Sequence, residues 1–219
     1  MGTTVDGPAG WPQRRRRPRP AVYLADPARV GNRETDSLVA YYRRDWFAFL
    51  VNAFALAHAA FGMSPRRTLV GSWWVLRANQ LWAPATGNDP AGAQRCMAHF
   101  YRLAAASHGA SFDPDRAAEL ELIWWREHRA AGRRSTPRPD AAATLALTEH
   151  YAHLFQSAPE RVGPAAELRV RAFDASDAWT ATAALDPDSE LVAQERGLLV
   201  ESYQVLADEL RHQSDTNNA

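Results

Sequence analysis

Glu121 and His128 stand seven residues apart in a segment, residues 114–131, that reads as one amphipathic helix. At 100° per residue, Arg116, Glu119, Arg126 and Glu127 gather on one side, and Ala117, Ala118, Trp124 and Trp125 on the other. Glu121 and His128 fall within the second side, nearly in line. A carboxylate on an apolar face needs a partner or a raised pKa. A Glu–His combination so placed has the groups for general acid–base chemistry. The structural alternative is an internal Glu–His or Glu–Arg pair that holds two helices in register.

Residues 65–82 carry the matching cation. Arg77 falls among Val70, Trp73, Trp74 and Leu81, with Gln80 nearby, on a segment with no strongly charged face. A buried arginine requires an acid; Glu121 is the first candidate and Asp45 the second. The alternative is an Arg77 that snorkels, its stem on the tryptophans and its head in water. Tryptophan can wall a pocket for a small aromatic or amphiphilic ligand. The expected site is therefore a cleft between these two helices. Trp73, Trp74, Trp124 and Trp125 would wall it, Glu121 and His128 would act as acid or base, and Arg77 would hold an anionic substrate group. The second reading is a non-catalytic helical protein acting through an oligomeric or partner interface, with the same residues as internal pairs and the tryptophans as core filler. An enclosed cavity at Arg77, Glu121 and His128 favours the first; a filled core with an exposed apolar helix face favours the second.

The other polar residues on apolar segments read as structural. Asn52 and His58 lie on different faces of residues 46–61 and are expected to be satisfied core residues. Glu149 and His153 have a spacing that could ligate a metal. They lie opposite the stripe of Leu147, Tyr151 and Leu154, however, so a solvated face is expected there. His150 and His153 are accordingly expected outside any site. Asp208 and His212 read the same way. The Glu-x-x-His motifs of di-iron bundles are absent. So are a phosphate loop, a nucleophile elbow, a His-Glu-x-x-His motif and a dinucleotide fingerprint. No metal site is expected, and the cofactor is unknown. Cys96 shares a stripe with Ala93, Met97, Phe100 and Ala104 and reads as a small core residue.

Helices must position these groups, and their starts are written locally. Five times a small polar residue precedes a proline: Ser64-Pro65, Asp89-Pro90, Asp113-Pro114, Ser157-Ala158-Pro159 and Asp186-Pro187. Ser and Asp side chains accept from the unpaired N–H groups of a first turn, and proline fits the first helical position. Helices are expected over about 36–61, 65–82, 90–107, 114–131, 141–156, from 159 or 164 to 183, and 187–212. The stretch 46–61 is almost wholly apolar but short of the ~20 residues a membrane span needs, so a buried central helix is expected. The fold class is all-α: a single orthogonal or irregular bundle of about seven helices, with no sheet.

Composition bounds the rest. A chain of 219 residues with 46% apolar content can bury a sizeable core as one domain. Residues 21–219 are expected to form it. Residues 1–20 hold five arginines, one acid and several prolines and glycines, and are expected to be a disordered tail. They are followed by too short an apolar run for an export signal. Net charge is zero, which argues against a general nucleic-acid or membrane partner; a homo-oligomer stays open. All 25 basic residues are arginine, which together with the alanine content suggests a GC-rich, actinobacterial coding bias. One cysteine excludes an internal disulfide and fits a cytoplasmic protein.

Overall fold

The computed structural model describes residues 24–84, 86–131 and 141–216. The tail expected over 1–20, and residues 132–140, whose arginines and prolines read from the sequence as a polar linker, lie outside the described residues. Eight helices follow in order: α1 (Pro27–Tyr42), α2 (Trp46–Phe61), α3 (Pro65–Trp82), α4 (Pro90–His108), α5 (Pro114–Ala131), α6 (Ala141–Phe155), α7 (Pro159–Thr180) and α8 (Glu190–Thr216). Among the described residues there is no strand, so the chain is all-α, with one helix more than expected.

Local chemistry explains both the agreement and the extra helix. Asp89 accepts from the Gly92 N–H at 2.7 Å, and Asp113 accepts from the N–H groups of Asp115 and Arg116. These side chains satisfy donors that the first turn leaves unpaired. The expected helix over 36–61 is in fact two. Its first half starts earlier, at Asp26-Pro27, a sixth pair of the same kind, where Asp26 accepts from the Arg29 N–H. The break comes at Arg44, in the left-handed region at φ 62°, and Asp45 then caps α2 through the Ala48 N–H at 3.0 Å. Asp186-Pro187 opens a turn instead of a helix; Asp186 is consumed by the Asp188 N–H, and α8 begins at Glu190.

The principal packing partners of each helix are its neighbours in the chain, and α8 closes back on α1. The main core runs through α4 to α8, with Phe100, Tyr101, Trp124, Leu147, Tyr151, Phe155 and Leu206 buried in one cluster. At the α1–α8 crossing the backbones nearly touch. A Cβ on Gly31 would meet the Val200 backbone nitrogen at 2.7 Å, so only glycine allows this approach. The elbow of α2 and α3 is different. Only Ala57 and Ala60 of α2, and Thr68, Gly71 and Ala78 of α3, are buried. The expectation that residues 46–61 form a buried central helix is corrected: α2 lies along α1 with one face open.

Candidate functional site

The expected cleft is not assembled, because its walls face different neighbours. Trp73 is exposed at 59%. Trp74 stacks on His99 of α4, ring centres 4.5 Å apart. Trp124 is buried against His128 and Phe173 of α7. Trp125 turns to Glu121 and donates its indole N–H to Oε1 at 2.7 Å. α3 reaches α5 at its C-terminal end, where Trp82 meets Trp125 and Arg129 lies 4.2 Å over the Trp82 ring. Arg77 is exposed and donates to Gln80 at 3.2 Å. It pairs with neither Glu121 nor Asp45, and the snorkelling alternative describes it. His128 and Glu121, in line on one helix, reach different partners. His128 Nε2 lies 3.8 Å from Asp177 of α7.

Glu121 is instead the centre of a polar cluster that joins α4, α5 and α6. Its Oε2 lies 2.9 Å from His150 Nε2 and accepts from the Tyr101 hydroxyl at 3.0 Å. The same His150 nitrogen is 3.2 Å from the Tyr101 oxygen. His150 is 2% exposed, which corrects the expectation that it stands apart from Glu121. His150 Nδ1 is buried without a hydrogen-bond partner. Burial by itself pushes the Glu121 carboxyl up. The His150 charge and hydrogen bond, the Arg169 charge and the Tyr101 hydroxyl outweigh it and hold the carboxyl below its usual range. Burial first, then the Glu121 charge, drives the Tyr101 phenol well above its ordinary value.

A second cluster ties α1 to α7 and α8. Arg169 donates to Glu34 Oε1 and to the Tyr203 hydroxyl, each at 2.5 Å, and Tyr203 donates to Glu34 Oε2 at 2.6 Å. The three side chains close a ring in which each carboxylate oxygen receives a donor. Desolvation is the largest single influence and opposes the arginine charge, but Glu34, Tyr151 and Tyr203 together outweigh it and keep the guanidinium protonated. The Arg169 charge also reaches Glu121 and Tyr151. The buried Tyr151 hydroxyl has no hydrogen-bond partner, and burial lifts it to about 12. Glu195 is 1% exposed, with both oxygens unpaired. Desolvation, then the Glu34 charge, raises it to about 8.

These groups escaped sequence reasoning for identifiable reasons. His150 adjoins Glu149 and lies three residues before His153, on a helix where the sequence reads these polar groups together as a solvated face. Glu34, Arg169, Glu195 and Tyr203 are polar residues on polar-looking helices, where periodicity gives no contrast. Asn52 accepts from Arg33 at 2.7 Å, and His58 Nδ1 lies 2.9 Å from the Met63 carbonyl, so both have partners as expected. His153 sits 2.8 Å from the Asp113 carbonyl at the surface.

The arrangement can hold protons and charges in fixed places. Two open depressions, of about 560 and 580 Å³, are lined mainly by α1 and α8 residues such as Asn32 and Arg196; neither touches Glu121, His150 or the tryptophan pairs. Among the described residues, no cluster of three or more His, Cys, Asp or Glu side chains could hold a metal ion. The fold and its interior define an all-α protein pinned by two buried polar clusters. Compared with protein-family models, curated proteins and solved structures, the chain shows no significant match.

Proposed function

We propose that the protein is a non-catalytic helical interaction module that works through the surface of α2 and α3. The observation that carries this reading is the exposure of Trp46, Phe47, Leu50, Val51, Leu69, Val70 and Trp73, at 48% or more each, on two adjoining helices. Apolar groups so concentrated and so open mark interaction surfaces. The buried clusters then serve as internal pins. Glu121, Tyr101 and His150 fix α4, α5 and α6 relative to one another, and Glu34, Arg169 and Tyr203 fix α1, α7 and α8. The rival reading, a Trp-walled cleft for a small aromatic or amphiphilic molecule, lacks a common wall in this geometry.

The test is complementation in a strain deleted for the gene. A Phe47→Asp/Trp73→Asp variant is expected to fail as the deletion fails while retaining its fold by circular dichroism. A His150→Gln variant that still folds is expected to complement. The opposite ranking would return the function to the interior and to acid–base chemistry.

A further inference from the structure

The exposed α2–α3 elbow carries charge mainly of one sign. Between residues 43 and 88 the chain carries Arg43, Arg44, Arg66, Arg67 and Arg77 against a single acid, Asp45. That acid is engaged in capping α2. Arg43 and Arg44 immediately precede α2, Arg66 and Arg67 lie in the first turn of α3, and all five arginines are exposed. Residues 89–219 are the opposite, with 13 arginines against 20 acids. Residues 1–42 hold 7 arginines against 4 acids, so the zero net charge of the chain hides a basic N-terminal part and a basic, apolar elbow joined to an acidic remainder.

Geometry limits how this elbow could meet a bilayer. Among the described residues no single helix is long and apolar enough to cross a membrane. α2 has 16 residues, about 24 Å at 1.5 Å per residue, shorter than a hydrocarbon core of ~30 Å. α2 and α3 together reach the apolar length, but they are bent by 116° at the break. Gly62, in the left-handed region at φ 55°, ends α2 there. A bent pair with exposed indole rings, Phe47 and Leu50, and with guanidinium groups at its start and at its bend, has the parts of an interfacial anchor. Tryptophan sits well at the headgroup level, and arginine pairs with phosphate through paired N–H donors.

We infer that the α2–α3 elbow docks peripherally on an anionic phospholipid surface, with the apolar side chains entering the headgroup boundary and Arg43, Arg44 and Arg66 contacting lipid phosphates. The inference rests on the interaction reading above and names its partner, in place of the sequence-based expectation of no membrane. Charge disfavours a second copy as the occupant: a two-fold pairing of this face would bring its five arginines together against only the capping carboxylate of Asp45. The acidic body, repelled by the same lipid surface, would orient the molecule with the elbow down.

Vesicle flotation of the full chain tests this, using phosphatidylcholine alone and phosphatidylcholine mixed with phosphatidylglycerol, alongside light scattering without vesicles. At least tenfold tighter partition to the anionic vesicles is expected, weakening at high salt. Arg43→Ala/Arg44→Ala/Arg66→Ala should erase the preference for anionic lipid, and Phe47→Asp/Trp73→Asp should abolish partition. Both variants should keep the wild-type melting temperature, since the altered side chains are exposed. Equal binding to both vesicle types, or binding untouched by the aspartates, overturns the docking proposal. Absence of vesicle binding with a dimer that Phe47→Asp dissociates overturns the lipid partner and leaves the interaction reading standing. Absence of both, with Phe47→Asp/Trp73→Asp still complementing in the cell, overturns the two together.

Discussion

Two regions of this molecule use hydrogen bonds in opposite ways. In α4 to α8, with α1, two carboxylates in the interior collect several donors each: Glu121 from Tyr101, Trp125 and His150, and Glu34 from Arg169 and Tyr203. The α2–α3 elbow is tied at its margins. Arg33 reaches Asn52, Arg67 reaches the Ala106 carbonyl, and His108 meets the Phe61 carbonyl. The difference teaches where rigidity and exposure are placed. Buried charge pairs demand fixed geometry, because losing one partner strands the other. An apolar face without such pairs can be left open at small cost to the fold and remains free to meet something else. The elbow is therefore expected to be the part of the fold most tolerant of surface change, and the body the least.

Four substitutions sharpen or break that contrast. The largest effect is expected from Arg169→Met, which removes the cation between Glu34 and Tyr203 and leaves a 7%-exposed carboxylate without it. Urea unfolding should show a loss of ~3–5 kcal/mol. A loss below 1 kcal/mol would mean that the cluster does not pin α1, α7 and α8.

Next is Glu121→Gln, with an expected loss of ~1–3 kcal/mol at pH 7 as charge-assisted hydrogen bonds weaken. Its pH dependence has a definite sign. The Glu121 carboxyl is held below its usual range in the folded protein. Its contribution is therefore complete above the unfolded pKa of ~4.3 and is lost as pH falls through the lower folded value. The Gln variant should lack this part of the acid slope. Identical slopes would show that Glu121 gains nothing from its neighbours.

Glu195→Leu should act in the other direction. A carboxyl raised to about 8 keeps its proton in the fold while the unfolded chain has released it. Wild-type stability should then fall as pH rises from ~4.3 toward about 8. Removing the unpaired oxygens should stabilise by ~1–3 kcal/mol, more at pH 8 than at pH 5. Melting curves at the two pH values check both size and order.

The smallest effect belongs to the elbow. Phe47 is 80% exposed, and Phe47→Asp should change stability by less than ~0.5 kcal/mol. A large loss would show that α2 is buried against something in the free protein, and the contrast between the two regions would vanish.

The sequence by itself determined the helices and most of their starts: proline marks the first turns of α3 and α7, where Ser64 and Ala158 make no side-chain cap, and capping settles others within three residues. Asp89 and Asp113 needed only the N–H groups of their own first turns, and the same rule, applied to Asp26-Pro27, locates the start that was overlooked. It also determined that Glu121 would need a partner, since a carboxylate on an apolar stripe cannot stand alone. Tertiary structure decided which partner. Glu121 meets His150, 29 residues on, and not Arg77, because α5 packs between α4 and α6 while Arg77 points to water. It likewise decided the fate of residues 46–61. A helix apolar on every side is expected to be buried, and periodicity has nothing to add when no face differs from another. Only the packing of α1 and α3 around it leaves Trp46, Phe47, Leu50 and Val51 in the open.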